Sequence, residues 1–261
     1  MSGARRLETR IRSAASEGRI ALMPYVIAGH PTLDGFARTL LQVANEADVV
    51  EVGLPFTDPT ADGPVIAEAA RKALAGGANL DHALGAVKEA RAASEACFVL
   101  MSYLNPLLAR GAERVCKELV EAGFDGLIVP DLPLEESLEL REPADASGLA
   151  LIQLVTPLTP TERIAKLSAA TRGFLYAVTR KGTTGARAEA ESIHAYLDRV
   201  GSVCGLPICA GFGLREPDQV QALLGHAHGA VVGTALVERL SAGEDPRPFL
   251  QEFRGPGCNS Q

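Results

Sequence analysis

The chain has 261 residues, of which 47% are hydrophobic, and a formal net charge of −7 at pH 7. This length and apolar content allow one large domain, since α/β barrels commonly reach this size. The acidic balance argues against binding to a nucleic-acid backbone, and no apolar run approaches the ~20 residues that a membrane-spanning helix needs.

Short apolar runs alternate with amphipathic segments along the whole chain. A first helix is predicted over residues 3–17, with Leu7 and Ile11 on one face. Strands are predicted over residues 20–28, 49–53, 97–102, 126–129, 149–155, 173–178, 207–210 and 229–232. Helices are predicted over 32–45, 64–75, 80–93, 109–122, 134–146, 188–201, 215–225, 234–241 and 246–253, with a further one capped by Thr159.

The alternation predicts an α/β fold. The strands are continuous apolar runs, which is typical of parallel strands buried on both faces. Eight strand–helix units in one domain of this size indicate a closed (β/α)8 TIM barrel rather than an open sheet. The N-terminal helix and the helix over 80–93, which follows the second strand, are additions to the minimal barrel. Residues 1–261 are expected to form this single domain, with a disordered tail from about residue 254.

Two features indicate a reducing compartment and a cytoplasmic protein. The five cysteines include no CxxC pair, so the sequence predicts neither a disulfide framework nor a zinc site. The N-terminal segment is charged and amphipathic and lacks the apolar core of a signal peptide. No GxSxG elbow, Walker loop or GxGxxG fingerprint is present, and the histidines are not spaced to bind a metal.

The stretch VEVGLPFTDPTADGP at residues 50–64 places carboxyl groups at the exit of the second strand. Glu51 lies inside the apolar run, where an unpaired charge is expensive. Asp62 follows a turn stiffened by prolines, which can return it to the same mouth of the barrel. Two carboxyl groups in different surroundings can divide acid and base roles. Alternatively, Glu51 is a structural ion-pair partner and Asp62 caps the next helix.

The last strand exits carry glycines suited to binding a phosphate. Gly211 and Gly213 follow the seventh strand, and Gly233-Thr234 follows the eighth, where a helix begins. Backbone amides at a helix N-terminus bind anions, although the same glycines can simply form tight turns. The long loop at 180–190 contains Gly185 and has the composition either of a lid or of an ordinary surface loop.

The run EVGLPFTDPTADGP closely resembles the signature of the tryptophan synthase α subunit family. Further matching segments occur in order along the chain, from about Leu7 to Phe253: PYVIAGHP, MSYLNP, VPDLPLEES, GTTGAR, and GFG followed by GT. His30 and Thr183 depart from the family pattern in two of these segments. The resemblance implies a (β/α)8 barrel that cleaves indole-3-glycerol phosphate to indole and glyceraldehyde 3-phosphate, without a cofactor.

The resemblance also implies roles for individual residues. Glu51 is expected to be the general acid/base, and Asp62 to bind the indole N–H. The remaining matched positions are expected to contact the indole ring, the lid or the phosphate, and they are Leu22, Tyr176, Thr184, Gly185, Gly213, Gly233 and Thr234.

The family passes indole to a β subunit, so the resemblance implies an α2β2 heterotetramer in tryptophan biosynthesis. Loops near Pro55–Pro59, Asn105 and Pro133 would form the contact. Two alternatives remain: a stand-alone lyase that releases free indole, and a non-catalytic barrel that regulates a β subunit. From outside the family, a generic phosphate-binding isomerase or aldolase is also possible.

Overall fold

The computed structural model describes residues 1–179, 192–211 and 213–254. Its core is a parallel sheet of nine strands in the order β5-β4-β3-β2-β1-β9-β8-β7-β6. Only Gln153 separates β5 from β6 in the chain, so the two ends of the sheet meet there and the sheet forms a barrel. The strands are β1 Ala21–Ile27, β2 Val49–Gly53, β3 Cys97–Met101, β4 Gly126–Ile128, β5 Ala150–Ile152, β6 Leu154–Val155, β7 Leu175–Val178, β8 Ile208–Gly211 and β9 Gly229–Val232.

Helices surround the barrel in the described residues. They are α1 Gly3–Ser16, α2 Phe36–Ala44, α3 Pro64–Ala75, α4 Leu80–Arg91, α5 Leu104–Arg110, α6 Ala112–Ala122, α7 Leu138–Ser147, α8 Thr161–Ala170, α9 Ile193–Gly201, α10 Pro217–Gln221, α11 Thr234–Ser241 and α12 Pro246–Glu252. Leu134–Glu136 forms a single 3-10 turn before α7. Within the described ranges, none of these helices has the length and apolarity needed to cross a membrane.

The side chains of each strand alternate between two apolar layers, as the period of a β-strand requires. One layer fills the barrel, and Met23, Val49 and Val99 belong to it. Leu7 and Ile11 of α1 join this layer, so α1 closes one end of the barrel. The other layer packs the strands against the surrounding helices. The predicted (β/α)8 barrel with its extra helices is therefore confirmed.

Arginines surround two buried carboxylates at the end that α1 closes. Asp48 precedes β2 and accepts hydrogen bonds from Arg19 at 2.5 and 3.0 Å, with Arg10 3.1 Å away. Asp125 precedes β4 and accepts one from Arg91 at 2.5 Å. Both carboxylates also accept a backbone N–H, from Leu22 and Phe98 respectively. These pairs hold the N-terminal ends of the strands to their neighbours.

The structure corrects several predicted boundaries. Strand 149–155 is interrupted at Gln153, and helix 109–122 is divided at Gly111, whose φ of 92° breaks the helical path. The helix predicted over 215–225 covers only Pro217–Gln221. Pro160, not Thr159, caps α8. The beginning of the predicted helix 188–201 and the tail after residue 254 lie outside the described residues.

Candidate active site at the carboxyl ends of the strands

A cleft opens at the end of the barrel opposite α1. Its walls include the last residue of β3, Met101, and residues just beyond β8 and β9. Six residues predicted from the sequence line it: Glu51, Asp62, Tyr176, Gly213, Gly233 and Thr234. Four lining residues were not predicted as site residues: Tyr25, Ile66, Met101 and Val231. The cleft therefore gathers residues from strands and loops that are far apart in the chain.

Glu51 lies on the inward face of β2 and is only 1% exposed. Its Oε2 atom is buried without a hydrogen-bond partner. Burial, followed by repulsion from the nearby Asp62, raises the pKa of Glu51 to about 8. The described residues that line the cleft include no lysine or arginine. In this part of the chain, nothing supports the alternative that Glu51 is half of a structural ion pair.

Asp62 reaches the cleft from the loop between β2 and α3. Its backbone N–H donates to the carbonyl of Pro59 at 3.1 Å, which fixes the end of that turn. Burial raises the pKa of Asp62 to about 6, although a hydrogen bond with Tyr103 opposes the rise. Gly63 caps α3 without a side-chain hydrogen bond, so Asp62 does not serve as the helix cap. Its carboxyl group is left available to the cleft.

Tyr103 supports the loop that carries Asp62. Its hydroxyl accepts a hydrogen bond from the backbone N–H of Ala61 at 2.9 Å. Its ring stacks on Phe56 of the same loop, with centroids 5.2 Å apart. These contacts attach both halves of the loop to Tyr103, which precedes α5. The sequence marks this residue only as part of the segment MSYLNP, without a role.

Two tyrosines fill the barrel below the mouth. Tyr25 of β1 and Tyr176 of β7 both line the cleft. A Cβ added at Gly53 would lie 2.1 Å from the Tyr25 hydroxyl oxygen, and one added at Gly211 would lie 2.3 Å from that of Tyr176. Each ring therefore occupies space that the glycine of the neighbouring strand leaves open.

Leu22 does not reach the cleft. It is buried in the layer between the strands and the helices, and its backbone N–H donates to Asp48 at the closed end of the barrel. The alternation along β1 directs Tyr25 inward and Leu22 outward. The position in β1 that belongs to the cleft is therefore Tyr25, and the prediction for Leu22 is not supported.

Glycines and a helix N-terminus form one side of the cleft. Gly213 follows β8 with a φ of 89°, a conformation that favours glycine. Gly233 caps α11 without a side-chain hydrogen bond, and Thr234 is the first helical residue. The first N–H groups of such a helix and its dipole favour an anion. Thr184, Gly185 and the predicted lid at 180–190 lie outside the described residues.

Comparisons with known proteins agree with this geometry. The family model for the tryptophan synthase alpha chain matches residues 11–254. The chain is 42% identical to the tryptophan synthase alpha chain of Prochlorococcus marinus over 239 residues, covering 90% of this chain and 87% of that one. It is 41% identical to that of Desulfovibrio desulfuricans over 252 residues, covering 95% and 99%.

Solved structures show the same likeness. Tryptophan synthase from M. tuberculosis, in its aminoacrylate-bound form, matches with a TM-score of 0.87 and 32% identity, covering 95% of this chain and 98% of that one. A structure of the tryptophan synthase a2b2 complex from Pyrococcus furiosus matches with a TM-score of 0.82 and 36% identity, covering 89% and 97%. On both sequence and structure, the chain belongs to the tryptophan synthase α chain family.

Proposed function

We propose that the cleft is the active site at which this chain performs the reaction of its family. That reaction is a carbon–carbon lyase reaction, the cleavage of indole-3-glycerol phosphate to indole and glyceraldehyde 3-phosphate. One observation carries the assignment of the site. Glu51 and Asp62 share a largely apolar cleft, and burial holds the pKa of Glu51 near 8 and that of Asp62 near 6. Two carboxyl groups that titrate separately can hold different protonation states at neutral pH.

The walls of the cleft divide into parts that suit the parts of this substrate. Gly213, Gly233 and the N-terminus of α11 offer backbone amides to the phosphate. Met101 and Ile66 offer an apolar surface to the indole ring. The bond to be cleaved joins the ring to the glycerol chain, so it lies between these two regions.

At neutral pH, Glu51 is mostly protonated and Asp62 is mostly ionised, because their pKa values lie on opposite sides of 7. Glu51 donates its proton to C3 of the indole ring, and positive charge develops at the ring nitrogen. The Asp62 carboxylate accepts the indole N–H and stabilises that charge. The cation is thereby formed beside an anion in a site of low polarity.

Cleavage of the carbon–carbon bond then returns Glu51 to its protonated form and the indole ring to its neutral form. The new Glu51 carboxylate removes the proton of the hydroxyl on the glycerol carbon that is bonded to C3. This glycerol carbon becomes the aldehyde carbon. The electron pair of the breaking carbon–carbon bond returns to the ring and neutralises the nitrogen. Glu51 ends protonated, so the cycle closes without an external acid or base. A Schiff-base aldolase would need a lysine in a strand, and the strands of the described ranges contain none.

The direct test is indole release by the isolated chain and by Glu51→Gln. The amide keeps the size of the side chain and removes its exchangeable carboxyl proton, so we expect kcat to fall by about 10²- to 10⁴-fold. Binding of a non-cleavable substrate analogue should remain. Glu95→Gln makes the same change at an exposed position and should retain full activity. Near-normal indole release by Glu51→Gln would overturn the assignment.

We further propose that the chain assembles with a tryptophan synthase β subunit as α2β2 and acts in the cytoplasm. The likeness to the Pyrococcus furiosus complex supports the assembly. The three predicted contact segments follow the carboxyl ends of β2, β3 and β4, where Asp58, Asn105 of α5 and Pro133 are exposed. Indole release with and without the β subunit tests this: strong activation supports the synthase, and full activity of the chain alone supports a stand-alone lyase. No turnover in either condition would support a regulatory barrel.

A further inference from the structure

Tyr25 lies beside Glu51, on the neighbouring strand of the barrel. The two residues are Cα partners in the parallel register of β1 and β2, and partners on adjacent parallel strands project to the same face. Both side chains line the cleft. The mechanism above assigns Tyr25 no role, although it lines the cleft beside the reactive Glu51.

The Tyr25 hydroxyl lies on the mouth side of Glu51. It is positioned directly over Gly53, where an added Cβ would meet its oxygen at 2.1 Å. Gly53 is the next inward position on β2 after Glu51, toward the open end of the barrel. The glycine therefore admits a hydroxyl group close to the path along which the Glu51 side chain extends.

Glu51 needs a hydrogen-bond donor during the reaction. Its Oε2 atom is buried without a partner, which a neutral carboxyl group tolerates better than a carboxylate. Once Glu51 has protonated the indole ring, it is a carboxylate in the same surroundings. A donor that bonds to this charged form lowers the energy of the step at which the charge exists.

We propose that Tyr25 is a further positioning residue, whose hydroxyl donates a hydrogen bond to the Glu51 carboxylate as it forms. The inference rests on the proposed function, because it needs Glu51 to change its charge during turnover. Gly53 leaves the room that places this hydroxyl on the mouth side of Glu51, in the cleft that both side chains line. Tyr25 thereby supplies the ionised form of Glu51 with a donor, which the buried Oε2 atom otherwise lacks.

The groups around Tyr25 and Glu51 favour a protonated Tyr25, which can donate to Glu51. Acidic or neutral groups that face Glu51 or Tyr25 in the described residues are Asp62, Tyr103, Tyr176 and Cys209. Burial, and then the carboxyl groups of Asp62 and Glu51, raise the pKa of Tyr25 well above its usual value. Tyr25 therefore keeps its proton across the neutral range and remains a donor.

The test compares Tyr25→Phe with the wild type in pH profiles of indole release. The alkaline limb reports the loss of the Glu51 proton. Because the hydroxyl favours the carboxylate, its removal should move this limb upward by about one pH unit. It should also lower kcat about tenfold, with KM changed less than about twofold because the ring remains. Tyr196→Phe deletes a buried hydroxyl that bonds to Val155 outside the cleft, so it should leave the limb unmoved.

A second variant keeps the test independent of packing. Replacement of Tyr25 by 3-fluorotyrosine gives a more acidic, stronger donor of nearly the same shape, so the alkaline limb should move downward. An unmoved limb in both variants, or a change in KM alone, would overturn the inference. Its failure differs from failure of the proposed function, since only the latter would leave Glu51→Gln active.

Discussion

Asp48 and Asp125 lie buried at the closed end of the barrel, and Glu51 and Asp62 lie in the cleft at the open end. The first pair is surrounded by arginines, with Arg19 2.5 Å from Asp48 and Arg91 2.5 Å from Asp125. The described walls of the cleft give the second pair no cation. The same chemical group is therefore structural at one end and reactive at the other, and the neighbouring charges make the difference.

This contrast separates stability from activity within one barrel. A buried carboxylate that is paired with arginines and accepts hydrogen bonds holds the surrounding elements together. A buried carboxyl group without a cation has a raised pKa, which permits proton transfer near neutral pH and is costly for the fold. Substitutions at the closed end should therefore reduce stability, and substitutions at the open end should reduce activity.

Asp48→Asn should have the largest effect on folding. It leaves Arg10 and Arg19 without their carboxylate at a buried position, and breaking such a pair costs about 3–5 kcal/mol. Urea unfolding would measure the loss. Asp34→Asn, at an exposed position, should change stability by less than about 0.5 kcal/mol. Activity per folded molecule should be retained at low temperature, and a selective loss of kcat would contradict the structural role of the closed end.

Asp62→Asn should reduce activity without a comparable loss of stability. The neutral amide cannot stabilise the charge at the indole nitrogen, so kcat should fall by about 10²- to 10³-fold. The matched control is Asp58→Asn on the same loop, where the carboxylate is exposed. The isolated chain should tolerate that change fully. Equal losses of activity in the two variants would show that the loop, and not the Asp62 charge, is what matters.

The dependence of stability on pH should reveal the cost of Glu51. Its pKa rises from near 4.5 to about 8 on folding, so the folded state binds more protons than the unfolded state between these values. The contribution of neutral Glu51 to stability is complete below about 4.5 and is lost as the pH rises through 8. Relative to Glu51→Gln, the wild type should lose about 4 kcal/mol between pH 5 and pH 9. Parallel urea midpoints for the two proteins across this range would disprove the raised pKa.

The strands and the barrel were accessible from the sequence, whereas the residues that line the cleft were only partly so, and the arginine-paired Asp48 and Asp125 at the closed end were not predicted. Parallel strands buried on both faces give apolar runs that predict their positions well, and the barrel and the family are confirmed. The same property hides which residues face inward. Ile20 to Ala28 is apolar throughout, so the pattern cannot distinguish Leu22 from Tyr25, and only the register with β2 assigns Tyr25 to the cleft.

Contacts between distant segments of the chain also could not be predicted from the sequence. Asp62 enters the cleft because its loop is bonded to Tyr103, 42 residues away from Ala61 in the chain. No local pattern encodes that contact. Interruptions at Gln153 and Gly111 depend likewise on how the elements pack, since neither residue stops a strand or helix pattern by itself.

Tyr103→Phe, at the open end of the barrel, should have the smallest effect of these substitutions. The Tyr103 hydroxyl favours the ionised form of Asp62 and lowers its pKa, so removing the hydroxyl should raise that pKa above about 6. The acidic limb of the pH profile should move upward by about half a unit, and activity at pH 8 should change only a few-fold. The stacking contact with Phe56 remains in this variant, which keeps the loop attached.

Whether the acidic limb moves distinguishes two roles of Tyr103. If the residue only anchors the loop through Ala61, its loss would raise KM at every pH and leave the limb in place. If it controls the charge of Asp62, the limb moves while KM at pH 8 stays nearly constant. The second outcome would show that the open end adjusts its carboxyl groups with phenol hydroxyls, where the closed end uses arginines.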